Sequence, residues 1–377
     1  MVKKERSSNF ELMRIVSMLF IILYHAITYT NLDSNCQSVP IRLFIQMILY
    51  IIIVHVNSFV LLSGYFQSKS KFRLSKLINM LVLVSWYSFL ILFIGIKLGW
   101  VEEYSIITFV NSLLPSNTSI YWFINCYLLV YIFSDYINKF INRLSQSEYK
   151  RLIVIYFLVF SVLPFCSGLK FYRNDGFTFT NFFLLYIIGG YLRRFPLKES
   201  YHFKNYSTNG YRIILMLFFA MMAFSNFMLN NFASQVNGVS NLFTELSSRI
   251  SGTRLLYSNP FIILQCIAYF EFFGTFKFKN KVVNWVASST FGIYLIHDNP
   301  AFKMKIYKLM HVSANHIYSY KRFIWMFCAV LIIFIISLFI DKIRVLINRL
   351  FIKIPVIKKI MLKIRMFIGS FNFKINI

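Results

Sequence analysis

Hydrophobic residues in this chain are gathered in long runs that alternate with short polar segments. Most runs approach the roughly 20 residues that a helix needs to cross the hydrocarbon core of a bilayer. Such runs are longer than the strands and half-buried helices of soluble domains. The pattern predicts an all-α polytopic membrane protein with about ten transmembrane helices, at residues 10–30, 41–62, 77–98, 120–135, 152–168, 178–192, 211–230, 258–275, 282–298 and 323–341.

The predicted segment 282–298, VVNWVASSTFGIYLIHD, is only weakly apolar. Its polar side chains would be costly against lipid, and such groups usually face the interior of a helix bundle. We therefore expect this segment to lie inside the bundle.

Basic residues are distributed unequally among the polar segments. An even number of spans places both termini on one side of the membrane. About three quarters of the 40 Lys and Arg residues then lie on the side of the termini. Because Lys and Arg are enriched in cytoplasmic segments, both termini are predicted to be cytoplasmic.

The last segment of the chain, residues 342–377, alternates basic and apolar residues. This alternation fits an interfacial helix lying on anionic lipid, and it fits equally a cytoplasmic anchor that is simply rich in positive charge. No extramembrane segment is long enough for a separate soluble domain. The predicted organisation is a transmembrane domain at 1–341, in contact with membrane lipids, followed by a basic cytoplasmic tail at 342–377.

Composition supports a membrane protein and argues against a soluble or nucleic-acid-binding protein. Hydrophobic residues make up 58% of the chain and charged residues 14%, against about 25% charged in soluble proteins. The net charge of +27 would suggest nucleic acid in a soluble protein, but no RNA- or DNA-binding motif accompanies it, and cytoplasmic loops explain it. We expect no nucleic-acid partner. The five cysteines show no CxxC pair or metal-site spacing, so we expect no metal.

The first predicted helix carries two ionisable residues, Arg14 and His25. Eleven steps of about 100° return to within about 20° of the start, so both side chains share one face, about 16 Å apart along the axis. Glu11 lies within a turn of Arg14. A purely structural interpretation is also possible for each residue. Arg14 would then extend its side chain to the membrane–water interface, and His25 would be hydrogen-bonded to a neighbouring helix. Ionisable groups inside a membrane are nevertheless functional candidates, and histidine exchanges protons near neutral pH.

Several short motifs follow in order along the chain. The second span ends SFVLLSGYF, the next loop reads KSKFRLSK, the fourth span opens YWFINCYLLVY, and later segments read IIGGYLRR and STFGIYLIH. Together with Arg-x10-His on the first helix, this order resembles the membrane-bound acyltransferase 3 family. The resemblance runs from Arg14 to about residue 341.

Two departures place the chain in a divergent branch that is similar to polysaccharide O-acetyltransferases. Lys76 stands where the family's Arg-x-x-Arg loop has its second arginine, after Arg73. Leu12 and Met13 replace the usual Asp-Gly before Arg14. A lysine grips a phosphate less specifically than the forked guanidinium of arginine.

The resemblance implies transfer of an acyl group, usually acetyl from acetyl-CoA, to a carbohydrate hydroxyl. The acceptor would be a cell-surface polysaccharide or its lipid-linked precursor, such as a capsule or exopolysaccharide, at the bacterial cytoplasmic membrane. Arg14, Arg73 and Lys76 are then the candidates that bind the anionic donor. His25 is the candidate catalytic residue, as a general base or through an acyl-histidine.

Four further residues are candidates for acceptor binding: His55, Ser63, His297 and Asp298. A hydrogen-bonded core histidine is an equally good interpretation of His55. His297 and Asp298 also fit a helix cap at the outer interface.

Two other functions remain open at this point. A transporter or flippase of a lipid-linked glycan would also have ten helices with internal polar groups. It would not explain basic residues gathered at a cytoplasmic mouth below one buried histidine. A glycan polymerase is expected to have large outer loops rich in arginine, whereas segment 231–257 contains only Arg249 and Arg254.

Overall fold

The computed structural model describes residues 6–32, 38–102, 104–114, 121–167, 176–235, 255–310, 312 and 320–353. All regular elements within these ranges are helices, and no strand occurs among them. The predicted all-α fold is therefore confirmed for the described part of the chain.

Fifteen α-helices are numbered in chain order. They are α1 (Ser8–Thr28), α2 (Val39–Ile52), α3 (His55–Gln67), α4 (Leu74–Lys97), α5 (Ile106–Leu113), α6 (Trp122–Arg143), α7 (Gln146–Phe157), α8 (Leu163–Ser167), α9 (Phe179–Arg194), α10 (Thr208–Gln235), α11 (Pro260–Gly274), α12 (Lys281–Ala287), α13 (Thr290–His297), α14 (Lys303–Leu309) and α15 (Tyr320–Lys353). A π-helical turn, Leu158–Val162, joins α7 to α8.

Six helical segments among the described residues are long and apolar enough to cross a membrane: Ser8–Thr28, Val39–Gln67, Leu74–Lys97, Gln146–Cys166, Thr208–Asn231 and Phe323–Leu350. Each overlaps one of the ten predicted spans. The predicted spans 120–135, 178–192 and 258–275 fall on α6, α9 and α11, and Pro260–Gly274 is apolar but shorter. The total of about ten and the cytoplasmic termini stay predictions.

The weakly apolar segment 282–298 is not one helix. It is divided into α12 and α13 on either side of Ser288 and Ser289. Ser289 occupies the N-cap of α13 without a side-chain cap hydrogen bond, and the Ser288 hydroxyl accepts a hydrogen bond from Lys342 Nζ at 2.9 Å.

Helix starts follow recognisable local signals. Ser145 and Glu148 form a capping box at the start of α7. Asn259 accepts a hydrogen bond from the backbone N–H of Phe261, and Pro260 occupies the first position of α11. These residues satisfy or remove N–H groups that a helix N-terminus leaves unpaired.

The described chain divides into two compact units. The first comprises residues 1–70 and 132–287, and the second comprises residues 71–131 and 288–377. The first unit therefore contains α1–α3 and α7–α12, and the second contains α4, α5 and α13–α15, while α6 contributes residues to both.

Close contact between α3 and α9 organises the first unit. A Cβ atom at Gly64 would lie 2.7 Å from Tyr186 Cα, and one at Gly189 would lie 2.7 Å from Tyr65 N. Small residues let two helix backbones approach closely in membrane proteins. These two glycines therefore set the distance between α3 and α9.

A buried ionic cluster lies on α15 in the second unit. Asp341 is 1% exposed and accepts hydrogen bonds from the Tyr87 hydroxyl at 2.6 Å and from Arg344 Nη2 at 2.8 Å. The predicted boundary between membrane domain and tail falls between Asp341 and residue 342, inside this uninterrupted helix. Residues 354–377 lie outside the described residues, so the interfacial tail stays a prediction.

Candidate active site

The start of α1 is held within the first unit by small polar side chains. The Asn9 amide donates to the carbonyl of Phe273 at 2.9 Å. The Ser8 hydroxyl lies 3.0 Å from Asn284 Oδ1 and accepts from the Asn280 N–H at 2.8 Å. These bonds tie α1 to α11 and α12, so the position of everything further along α1 is defined within this unit.

An ion pair follows in the second turn of α1. Arg14 Nη1 donates to Glu11 Oε1 at 2.8 Å, and Arg6 Nη1 lies 4.0 Å from Glu11 Oε2. The Glu11 side chain is 8% exposed and that of Arg14 is 31% exposed. Among the described residues, no other partner binds the Arg14 guanidinium, so its remaining N–H groups can donate to an anion.

Polar groups continue along α1 at Ser17. Its hydroxyl lies 2.8 Å from that of Ser58 on α3 and 3.2 Å from that of Tyr269 on α11. The Ser58 hydroxyl also donates to the carbonyl of His55 at 2.6 Å. A chain of hydroxyl groups therefore leads from the middle of α1 to the first turn of α3.

The structure brings His25 of α1 and His55 of α3 together. The Tyr24 ring contacts both imidazoles edge-on, with centroid distances of 6.0 Å to His25 and 5.0 Å to His55. Tyr24 is thus a common neighbour of the two histidines, and His25 stacks on Tyr29 at 4.7 Å. Two imidazoles and two phenol rings thus form one cluster between the C-terminal part of α1 and the first residue of α3.

His55 is enclosed within this cluster. Its side chain is fully buried, and both ring nitrogens lack a hydrogen-bond partner among the described residues. Its ring lies 5.8 Å from that of Tyr257. Burying an imidazole with both nitrogens unbonded is costly, and a role in ligand binding or catalysis is one explanation for such a group. The observation speaks against the interpretation of His55 as a hydrogen-bonded core histidine.

Asparagine side chains support the cluster on the α3 side. The Asn57 amide donates to the carbonyl of Tyr257 at 2.8 Å, and the Asn181 amide donates to Asn57 Oδ1 at 3.3 Å. Asn57 and Asn181 are both buried. These bonds hold Tyr257 and α9 against the first turn of α3, and so fix the wall beside His55.

Arg193 of α9 lies in the first unit, at the end that contains the start of α1. Its Nη1 donates to the Tyr65 hydroxyl at 3.0 Å, and its guanidinium lies 4.8 Å from the Tyr65 ring centroid. The Tyr65 ring in turn lies 5.2 Å from Phe10, next to Glu11. Sequence reasoning missed Arg193, although it lies in IIGGYLRR, because nothing local shows which helix it reaches.

Arg73 and Lys76 lie together in the second unit, around Tyr131. The backbone N–H of Arg73 donates to the Tyr131 hydroxyl at 3.2 Å, and Lys76 Nζ lies 4.9 Å from the Tyr131 ring centroid. Both side chains are exposed, and Arg73 occupies the N-cap position of α4 without a side-chain cap hydrogen bond. An exposed pair of cations at a helix N-terminus can bind phosphate.

Ser63 and His297, two of the other predicted site residues, make hydrogen bonds to backbone carbonyls of their own helices. The Ser63 hydroxyl donates to the carbonyl of Phe59 at 2.8 Å. His297 ends α13 in the second unit, fully buried, with Nδ1 2.7 Å from the carbonyl of Ile293. Asp298 is its C-cap. Their predicted role in acceptor binding stays a prediction.

Comparison with known families decides the class of protein. The sequence matches a family described as "Acyltransferase domain" over residues 7–342. The chain belongs to the acyltransferase 3 family. The match spans both units of this family member and includes every predicted site residue. The family and the apolar helices together indicate a membrane acyltransferase.

No curated protein and no solved structure matches the chain.

Proposed function

We propose that this acyltransferase moves an acyl group, in the first place acetyl, from acyl-CoA to a hydroxyl of a surface polysaccharide or its lipid-linked precursor at the bacterial cytoplasmic membrane. One observation carries the proposal: a single uninterrupted helix, α1, bears the partly exposed Arg14 near its start and His25 in its second half, where the Tyr24 ring contacts both His25 and His55 of α3. This geometry suits a donor such as acyl-CoA, in which the anionic phosphate groups lie far from the reacting thioester carbonyl.

The start of α1 fits the anionic part of the donor. Arg14 retains N–H groups beyond those bonded to Glu11, and Arg193 lies near the same end of the unit. Guanidinium groups bind phosphate through paired, charge-assisted hydrogen bonds. Arg73 and Lys76 of the second unit are proposed as further phosphate-binding residues. When bound, acyl-CoA supplies the activated thioester that makes transfer to a hydroxyl favourable.

The histidine cluster fits activation of the acceptor. His25 takes the proton from the attacking hydroxyl, whose oxygen forms the new ester bond to the acyl carbon as the carbon–sulfur bond breaks. The imidazolium then returns its proton to the leaving thiolate, so the enzyme ends unchanged. His55 and Tyr24 line the same cluster as His25. A covalent acyl-His25 remains the alternative route.

Thiol release by purified protein in nanodiscs tests the reaction. Acetyl-CoA is supplied with a panel of methyl glycosides, and both free thiol and acetyl ester are measured. We expect ester formation by the parent and a loss of about 100-fold or more in His25→Ala, because general-base catalysis contributes about 10²–10⁴-fold. His202→Ala is the matched control, because His202 is an exposed loop histidine.

Two results would contradict the proposal. Unchanged ester formation in His25→Ala would remove His25 from catalysis. Glycan movement across vesicles without thiol release would instead favour the transporter or flippase.

A further inference from the structure

The second unit contains a cavity of about 380 Å³ at the C-terminal end of α4. Its wall combines Ser88 and Leu92 of α4, Trp100 just beyond that helix, residues of α5 and the segment that begins at Asn299. The volume lies within the usual range of small-ligand pockets, about 300–1,000 Å³.

Local backbone geometry builds one side of this cavity. Gly99 has φ +66°, a left-handed conformation that reverses the chain after α4. The N–H groups of Trp100 and Val101 then both donate to the carbonyl of Gly95, at 2.8 and 3.2 Å. A Cβ at Gly95 would lie 3.0 Å from Val101 Cγ2. The turn therefore packs tightly against α4 and brings Trp100 into the wall of the cavity.

Hydrogen bonds fix the opposite side. The Asn299 amide donates to the Tyr121 hydroxyl at 2.8 Å, and its Oδ1 accepts from the Ala301 N–H at 3.0 Å. The Tyr121 hydroxyl donates to the carbonyl of Leu295 at 2.9 Å. Asn299 is 4% exposed, so the segment beyond α13 is a built wall of defined position.

The polar side chains of the wall are all neutral: Ser88, Thr108, Asn111, Ser112 and Asn299. Thr108 takes part in the cap of α5, and the Ser112 hydroxyl donates to the carbonyl of Phe109 at 2.7 Å. Within the described part of the chain, the side chains of Ser88 and Asn111 make no hydrogen bond. A hydroxyl and a carboxamide therefore remain able to donate to and accept from a ligand.

This lining selects one class of ligand. A CoA phosphate needs cations, and none of the described residues in the wall is charged. An acyl or lipid chain would leave the hydroxyl and carboxamide groups unpaired, which is costly. A sugar satisfies both parts of the wall, because its hydroxyls bond to hydroxyl and amide groups while its C–H face packs on an indole.

The location of the cavity agrees with this class. Lys76 and Leu92 both lie on α4, about 24 Å apart at ~1.5 Å per residue. The cavity thus lies at the opposite end of α4 from the cationic pair. In the predicted orientation this end faces outward, where surface glycans are found.

We propose that the cavity is a saccharide-binding site that holds a neutral sugar of the acceptor. Its role as acceptor site rests on the proposed acyl transfer, whereas sugar binding itself does not.

Saturation-transfer NMR tests binding on the full chain in nanodiscs. The probes are the methyl glycosides of glucose, galactose, mannose and N-acetylglucosamine. We expect transfer to ring protons in the parent and about tenfold weaker binding in Asn111→Ala, the effect of losing one good hydrogen bond. Asn111 has no partner among the described residues, so its removal leaves the fold intact. Asn79→Ala is the matched control, an exposed asparagine of α4 outside the cavity.

A second variant fills the cavity without removing a polar group. Ala301→Leu enlarges a side chain of the wall, and we expect saturation transfer to disappear. The unfolding temperature is measured alongside, because a Cβ at Gly95 of α4 would lie 3.4 Å from the Ala301 Cβ. Absence of transfer from every glycoside in the parent would overturn the proposal. Equal transfer in the parent, Asn111→Ala and Ala301→Leu would do the same.

Failure of the proposed acyl transfer can be distinguished experimentally from failure of the proposed saccharide site. Sugar binding that depends on Asn111, without any thiol release from acetyl-CoA, would retain the saccharide site and reject acyl transfer. Acyl transfer whose KM for the acceptor is equal in the parent, Asn111→Ala and Ala301→Leu would retain the reaction and reject this site.

Discussion

The guanidinium of Arg14 and the carboxylate of Glu11 form a 2.8 Å ion pair in the second turn of α1, with the acid more deeply buried than the base. The pair holds Arg14 in one orientation before any ligand arrives. It also gives Arg14 a structural role that must be separated from its proposed role in donor binding.

A double substitution separates these two roles. Arg14→Ala leaves a buried carboxylate without its close partner, and we expect a loss of about 1–3 kcal/mol, between the values for exposed and buried pairs. We expect acetyl-CoA to bind about 10- to 100-fold more weakly. Adding Glu11→Gln should restore the unfolding temperature but not the affinity measured by calorimetry. Recovery of both would limit Arg14 to a structural role.

A substitution at His55 tests whether this buried imidazole, which makes no hydrogen bond among the described residues, has a role in catalysis. His55→Phe keeps an aromatic ring against Tyr24 and Tyr257 and removes both nitrogens. We expect stability to be retained, because replacing buried polar atoms that have no partner costs little. We expect kcat to fall about tenfold or more while the KM for acetyl-CoA is unchanged. Unchanged kcat with lower stability would return His55 to a packing role.

The contact between α3 and α9 predicts strong intolerance to a single methyl group. A Cβ at Gly64 would meet the backbone of Tyr186, which cannot move aside as a side chain can. We expect Gly64→Ala to destabilise the protein by about 1–3 kcal/mol or more. Gly274→Ala is the matched control, because its Cβ would find only Phe10 at 3.8 Å. Similar unfolding temperatures for the two variants would contradict this account.

The cluster around Asp341 predicts where the chain can be shortened. Truncation after residue 341 removes Arg344 and leaves a buried carboxylate bonded only to Tyr87 among the described residues. We expect a loss of about 3 kcal/mol relative to truncation after Lys353, as when one partner of a buried pair is removed. Arg344→Ala in the full chain should reproduce most of this loss. Equal thermal stability of the two truncated chains would instead place the domain boundary at residue 341.

Local patterns in the sequence were sufficient for a large part of the architecture. Hydrophobic runs located the six long apolar helices, because the length of a span is set by bilayer thickness. Arg14 and His25 were placed on one helix face because helical periodicity is a local property. The motif order predicted the family that the comparison then showed.

Tertiary structure decided which of these residues meet. The meeting of His25 and the buried His55 around Tyr24, the approach of Arg193 to Tyr65 and the division of segment 282–298 depend on packing between distant parts of the chain. The cavity joins Ser88, Asn111 and Asn299 in the same way. Hydropathy reports how much a segment prefers lipid to water, but neighbouring helices determine where its polar groups find partners. The helices and the Arg14–His25 face could therefore be read from the sequence, whereas the histidine cluster and the proposed sugar site required the fold.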